Sequence, residues 1–292
     1  MTADHLALDC TIVQLTDTHI VAPGGLLRDM VDTTENLRVA LERIVGSGRR
    51  VDALLLSGDL TDSGDPRAYR RLRSLVEDAA GALDAQIIYA MGNHDVREPF
   101  RTELLDQDPY DETALGAPHD TVHDLRGVRV ITLDSTRPTR HEGWLSEAQL
   151  GWLRAQLATP SASGTTVLVM HHPPLRSAVA PLDLLRLQDA DRLAEAISGT
   201  EVAMIVCGHS HVTGSGAIAG VPVWIGPAMS YRLDPFATKG RHRGFVGFGF
   251  SRIDVIDGSA VATAIEATAA EPVYDVPEEQ TLARLRELAG NR

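Results

Sequence analysis

Two histidines, His209 and His211, follow the apolar run at residues 202–207 and lie two residues apart. At the end of a buried strand, such a pair can direct both imidazoles toward one point, and Gly208 before it allows a sharp backbone turn. A His-x-His pair alone is weak evidence, because many histidines bind nothing. It gains meaning here because four other strand-like runs also end in residue types that ligate metals.

The ligand-type residues at these five strand ends share one chemistry. In open α/β sheets, ligands gather outside the carboxyl ends of the strands, so we expect these side chains to lie close together. Carboxylates and imidazoles suit zinc, iron and manganese, and the absence of cysteine argues against a structural zinc site. Aspartate and asparagine also favour turns, but five such turns in one chain make a purely structural role a poor explanation. Even without His94, seven candidates remain, which suits two ions at roughly 3.5–4 Å separation: Asp17, His19, Asp59, Asn93, His171, His209 and His211.

The order of these motifs, DxH, GD, GNHD, H and GHxH, resembles that of the calcineurin-like metallophosphoesterase superfamily between Asp17 and His211. The fold that this resemblance implies is α/β, a four-layer αββα sandwich of two mixed sheets flanked by helices. It also implies two metal ions (iron, manganese, zinc or cobalt), with Asp59 bridging them. One ion would be held by Asp17, His19 and His211, and the other by Asn93, His171 and His209.

The same resemblance implies a reaction, in which a hydroxide between the two ions attacks phosphorus in line. His94 would assist the departing oxygen, and Asp95 could orient His94. In the His171-His172 pair, the first histidine would be the ligand and His172 a packed neighbour. We interpret three other histidines as surface or loop residues: His119, His123 and His242.

The stretch at 140–157 and the run His171-His172-Pro173-Pro174 resemble bacterial class III cyclic nucleotide phosphodiesterases and glycerophosphodiesterases. The resemblance implies hydrolysis of small phosphodiesters, 3′,5′-cyclic nucleotides such as cAMP above all. His141 is either a pocket-lining residue or an ordinary loop residue. The segment 227–243 is either a cover, with Tyr231 as a substrate contact, or a surface loop. A phosphomonoesterase, a nucleotide pyrophosphatase or a non-catalytic metal-binding interaction module are the alternatives.

The resemblance implies a small phosphoester as the partner, and composition argues against other partner classes. The net charge of −13 argues against a nucleic acid polymer or an anionic membrane as the partner, and no run approaches the ~18 apolar residues of a membrane span. Cys10 and Cys207 lie in apolar segments and predict buried thiols, and the first nine residues lack the features of a signal peptide. We therefore expect a cytoplasmic protein, with a homodimer as a possibility through Gly244–Phe250.

Strand-like and helix-like segments alternate along the chain, which predicts one domain over residues 1–292. Ser146 and Gln149 predict a capping box for a helix over Glu147–Leu157. Residues 213–292 should complete the sandwich and could form a cap or a dimer contact. A polar helix over Glu278–Ala289 carries a thin leucine stripe; it docks on the body, packs on a second subunit or frays.

Overall fold

Two mixed β-sheets lie face to face between two layers of helices in the computed structural model, which describes residues 8–268 and 270–290. This confirms the α/β four-layer sandwich. The strands are β1 (Leu8–Leu15), β2 (Ala53–Ser57), β3 (Gln86–Ala90), β4 (Thr121–Leu125), β5 (Val128–Leu133), β6 (Thr166–Met170), β7 (Val202–Cys207), β8 (Gly214–Ile218), β9 (Val221–Ile225), β10 (Arg232–Leu233), β11 (Gly244–Phe245), β12 (Gly249–Ile256) and β13 (Ser259–Glu266). The helices are α1 (Thr33–Gly46), α2 (Pro66–Leu83), α3 (Arg97–Leu104), α4 (Glu112–Gly116), α5 (Glu147–Leu157), α6 (Ala180–Leu185), α7 (Ala190–Ile197) and α8 (Glu278–Gly290).

Each sheet combines parallel and antiparallel strand pairs. The first sheet runs β13-β12-β1-β2-β3, with β1, β2 and β3 parallel. The second runs β4-β5-β6-β7-β9-β8, with β5, β6, β7 and β9 parallel. The carboxyl ends of β1, β2, β3, β6 and β7 carry the predicted ligands, and strands that follow the last ligand motif extend both sheets.

Strand side chains alternate between the core shared by the two sheets and the cores under the helices. In β1, Cys10 and Ile12 pack between the sheets, whereas Val13 and Leu15 pack under α1 and α2. Its neighbour β2, and β6 in the second sheet, are likewise buried on both faces, which explains their largely apolar sequences. The strand ends are therefore held on a rigid base.

Helix α5 has the predicted bounds and the predicted capping box, in which the Ser146 and Gln149 side chains bond each other's backbone N–H. Two other features differ from the sequence interpretation or were absent from it. Residues 244–256 contain two strands, β11 and β12, so the segment suggested as a dimer contact spans the break between them, and α6 was not predicted. Only six residues long, α6 is too short to carry a helical period in the sequence.

The C-terminal segments leave part of the sequence interpretation untested. Leu285 on α8 is 56% exposed, and the side chain of Leu288 lies outside the described part of the chain. A dimer contact through Gly244–Phe250 stays a prediction, with Phe245 and Val246 exposed and Phe250 buried in the core. Among the helices within residues 8–268 and 270–290, none has the length and apolar character needed to cross a membrane.

Candidate active site

Residues at three strand ends adopt a backbone conformation that side chains other than glycine rarely take. Five of the seven predicted ligands have positive φ angles between 43° and 71°. Left-handed backbone costs free energy for such residues and is retained where the surroundings fix it, often at functional sites. This strain turns the side chains sharply out of the sheet edge in Asp17, His19, Asp59, His209 and His211.

A first ligand set forms where the loops after β1 and β7 meet. Nε2 of His19 lies 3.2 Å from Nε2 of His211, and Oδ1 of Asp17 lies 3.5 Å from the same His211 atom. All three residues are buried, and their ligand atoms lie within 4.8 Å of one another. Two imidazole nitrogens and a carboxylate oxygen facing one point are a donor set suited to one cation.

A second set forms beside it from Asn93, His171 and His209. Nε2 of His171, both ring nitrogens of His209 and Oδ1 of Asn93 are buried and have no hydrogen-bond partner among the described residues. Buried polar atoms without partners are costly, and a bound ion removes that cost. Oδ2 of Asp59 lies 3.3 Å from His171 Nε2 and 3.5 Å from His19 Nε2, between the two sets. The residues therefore fit two metal ions with Asp59 between them.

The other ring nitrogen of three histidines is anchored to the protein. His171 Nδ1 bonds the Ser57 carbonyl at 2.9 Å, and His211 Nδ1 bonds the Tyr231 carbonyl at 2.9 Å. His19 Nδ1 lies 3.2 Å from the carboxylate of Asp62. A partner on Nδ1 fixes the tautomer and leaves Nε2 for a metal.

Glycines allow the loops to approach each other closely. A Cβ on Gly208 would lie 1.9 Å from Oγ1 of Thr16 and 2.6 Å from Oδ2 of Asp17. A Cβ on Gly92 would lie 2.1 Å from the backbone nitrogen of Asp59. Gly208 does not have a positive φ, so its reason is close approach rather than the sharp turn expected from the sequence.

His94 lies at the mouth of the site, half-exposed, and its ring packs edge-on to His19 with centroids 4.7 Å apart. Its Nδ1 bonds the carbonyl oxygen of Asp62 at 2.8 Å. Asp95 does not orient His94 as expected: its carboxylate accepts the backbone N–H groups of Leu60 and Gly92 and the hydroxyl of Tyr69. Asp95 therefore joins the loops after β2 and β3, and Asp62 positions His94.

His172 is a packed residue, as predicted. One ring nitrogen pairs with the Ser135 hydroxyl at 2.8 Å and the other with the carbonyl of His141 at 3.1 Å. Burial lowers the pKa of His172 to about 3, so its ring is neutral. These contacts hold the His141 loop beside the site, where His141 Nδ1 lies 3.3 Å from Nδ2 of Asn93.

Charge pairing inside the site shows where positive charge is needed. Burial disfavours a charge on His171, yet the Asp59 carboxylate outweighs it and raises the pKa to about 9. The pKa of Asp59 is held well below its usual range, despite burial, by the charge on His171. Burial lowers the pKa of His211 to about 4. The raised pKa keeps a proton on His171 beside the Asp59 carboxylate, and a cation bound between these two residues would replace that proton.

A cavity of about 530 Å³ opens onto both ligand sets. Arg28 is the one arginine or lysine among its lining residues within the described chain. Tyr231 also lines the cavity, but its ring contacts His211, with centroids 4.3 Å apart, and the Arg28 guanidinium lies 5.3 Å from its centroid. The Tyr231 ring therefore packs against a candidate ligand, and its role as a substrate contact stays a prediction.

Several cavity residues were absent from the sequence interpretation or were placed elsewhere by it. Asp62 lies three residues after the predicted ligand Asp59, and this closeness in the sequence could have identified Asp62 as a residue of the site. Arg28 lies in an irregular loop, and His242 was interpreted as a surface residue. Apolar lining comes from the unpredicted α6, from Leu27 beside Arg28 and from Leu233 in β10. The complete lining is His19, Leu27, Arg28, Asp59, Asp62, Asn93, His94, His141, Pro181, Leu182, Leu185, His209, His211, Tyr231, Leu233 and His242.

Comparison with known proteins agrees with this geometry. The family model described as calcineurin-like phosphoesterase matches residues 10–213. A probable cyclic nucleotide phosphodiesterase of Rhodococcus erythropolis is 43% identical over 267 residues, covering 90% of this chain and 86% of the relative. A cAMP/cGMP dual specificity phosphodiesterase of Mycobacterium tuberculosis is 37% identical over 272 residues, with 93% and 84% covered. A dimetal phosphatase from Danio rerio shares the fold, with a TM-score of 0.60 at 15% identity over 87% of this chain and 98% of that one.

Proposed function

Because the chain belongs to the calcineurin-like phosphoesterase family, we propose that it hydrolyses 3′,5′-cyclic nucleotides such as cAMP at a centre of two metal ions. The chain is a metal-dependent phosphodiesterase; what we propose is that its substrates are cyclic nucleotides and that its active site holds two metal ions. The observation that carries the two-metal centre is the position of Asp59 Oδ2 between two donor sets, one of which contains buried atoms without partners.

We assign the ligands by these contacts and by motif order. Asp17, His19 and His211 would hold one ion, and Asn93, His171 and His209 the other, with Asp59 shared. When bound, two cations acidify water for attack on phosphorus and neutralise charge on the phosphate oxygens. Iron, manganese, zinc and cobalt all suit these donors.

The chain's own residues then supply orientation and a proton. The carboxylates of Asp59 and Asp62 line the cavity, and among the described lining residues Arg28 is the one arginine or lysine. A phosphodiester anion therefore enters favourably only once cations are present. His94 donates through Nδ1 to the Asp62 carbonyl, which leaves Nε2 for the departing oxygen. With both ring nitrogens protonated, His94 would give its Nε2 proton to that oxygen as the ester P–O bond breaks, while Nδ1 keeps its proton on the Asp62 carbonyl.

The relatives and the sparse cationic lining support a diester rather than a monoester substrate. A phosphomonoester carries more negative charge than a diester, and the single positive charge of Arg28 neutralises little of that extra charge. The two relatives reported above carry the names of cyclic nucleotide phosphodiesterases. A phosphomonoesterase or nucleotide pyrophosphatase is the alternative on the same scaffold.

A paired rate assay on manganese-loaded enzyme tests the substrate. It compares bis-p-nitrophenyl phosphate, p-nitrophenyl phosphate and cAMP. We expect faster turnover of the diester than the monoester, together with cleavage of cAMP. Preference for the monoester would contradict the diester proposal, and diester turnover without cAMP cleavage would contradict the cyclic nucleotide.

We also propose that residues 1–292 form one catalytic domain, because β8, β9, β12 and β13 complete the two sheets that carry the ligands. A cytoplasmic location is proposed as well, in keeping with two free, buried cysteines, Cys10 and Cys207. Fractionation that finds the native protein outside the cytoplasm would contradict it.

A further inference from the structure

We propose that the cavity-lining residues of α6, Pro181, Leu182 and Leu185 (the α6 wall), bind the organic group of the substrate and favour flat apolar groups such as nucleobases. This rests on the proposed function, because it takes the ligand sets as the phosphate end of the cavity. The α6 wall thus determines which phosphodiesters the enzyme prefers.

The cavity has a polar part and an apolar part. The candidate ligands and His94 form the polar part, while the α6 wall, Leu27 and Leu233 supply apolar lining. A volume of about 530 Å³ lies within the usual range for small-molecule sites. A phosphate on the ligand sets leaves room for a larger group beside it, and apolar side chains line that room.

Contacts with the loops of the active site hold the α6 wall in place. Asp183 on α6 receives two hydrogen bonds from the Arg176 guanidinium, at 2.7 and 2.9 Å. Directly after α6, Leu187 N–H bonds the Pro173 carbonyl at 2.9 Å, and Gln188 N–H bonds the Gly143 carbonyl at 2.8 Å. Pro173 follows the His171-His172 pair, and Gly143 belongs to the His141 loop. The wall is therefore fixed to the same loops that carry the site.

The chemistry of the wall selects against small hydroxylated groups. Purine faces are apolar, so they can cover leucine side chains without losing hydrogen bonds to water. A glycerol-like group placed there would bury hydroxyls against side chains that offer no partner. The wall thereby favours a diester with a heteroaromatic group over one with a short polyol.

Product inhibition distinguishes binding to the α6 wall from binding to the ligand sets, because AMP would contact both and inorganic phosphate only the ligand sets. The assay measures the inhibition constants of AMP and of inorganic phosphate against bis-p-nitrophenyl phosphate, on manganese-loaded enzyme. In the double variant Leu182→Asn/Leu185→Asn, we expect the AMP constant to rise about tenfold and the phosphate constant to stay unchanged. Leu184→Asn is the matched control, because Leu184 lies on the same helix and is 73% exposed. The double methionine variant should keep the AMP constant of the wild type, since methionine preserves apolar bulk.

Two results would overturn the α6 wall. One is an AMP constant unchanged in the double asparagine variant; the other is a rise of both constants together, which indicates damage to the whole site. Turnover of cAMP by the wild type is measured alongside. If the wild type does not cleave cAMP, the proposed substrate is contradicted. If the AMP constant nevertheless rises in the double asparagine variant while the phosphate constant stays unchanged, the α6 wall is supported.

Discussion

Replacing Gly208 with alanine tests how closely the loops after β1 and β7 must approach. The added Cβ would lie 1.9 Å from Thr16 Oγ1 and 2.6 Å from Asp17 Oδ2, against an ordinary contact of at least 3.4 Å. One of the two loops must therefore move by about 1 Å or more, and Asp17 and His209 move with them. A displacement of this size at a catalytic centre costs about 100-fold in rate, and overpacking costs about 1–3 kcal/mol of stability.

The assay is kcat/KM for bis-p-nitrophenyl phosphate, together with elemental analysis of bound manganese and urea unfolding. We expect a loss of about 100-fold in kcat/KM and a reduced metal content in Gly208→Ala. Gly214→Ala is the control, because a Cβ there meets nothing within 4 Å. Full metal content with wild-type kcat/KM in Gly208→Ala would refute the reasoning that this close approach sets the site.

Three further perturbations probe separate parts of the structure. Asp62→Asn removes the carboxylate beside His19 Nδ1 and should weaken manganese affinity by about 10–100-fold in a metal titration of activity; unchanged affinity would exclude this role. Ser146→Ala removes the α5 cap and should cost about 1 kcal/mol in urea unfolding, and a cost no larger than that of exposed Ser163→Ala would contradict it. Burial lowers the pKa of His119 from 6.5 to about 4. Below pH 6.5 the unfolded chain takes up a proton that the folded chain refuses, so stability falls by up to about 3 kcal/mol as the pH drops toward 4. His119→Gln should lessen that fall in unfolding measured at pH 4.5 and 7.5, and an equal fall in the variant would contradict the assignment.

The four-layer sandwich was implied by the family resemblance, whereas the ligand candidates could be recognised because two patterns coincide at each strand end. Largely apolar runs of five residues mark β2 and β6 as strands buried on both faces, and parallel strands bring their carboxyl ends to one edge of a sheet. Within the first sheet this brings together ligand-type residues such as Asp17 and Asp59, which follow β1 and β2. Asp59 and His171 belong to different sheets and meet only because the two sheets pack face to face.

Other parts of the site depend on loop paths that no local pattern encodes. Asp95 follows His94 in sequence, yet its carboxylate turns back to the backbone N–H of Leu60 and Gly92. Asp62 takes the orienting position because the loop after β2 passes beneath His94. The α6 wall lies on a helix too short to show a period. These residues are set by long-range packing, which local spacing does not carry.

The most direct test of the two-metal centre is the number of metal ions bound per chain at full activity. Metal-free enzyme would be titrated with manganese while bis-p-nitrophenyl phosphate turnover and bound metal are measured on the same samples. We expect activity to saturate at two ions per chain, and we expect Asp59→Ala, which removes the shared ligand, to be inactive at every metal concentration. Full activity at one ion per chain, or an active Asp59→Ala variant, would contradict the assignment.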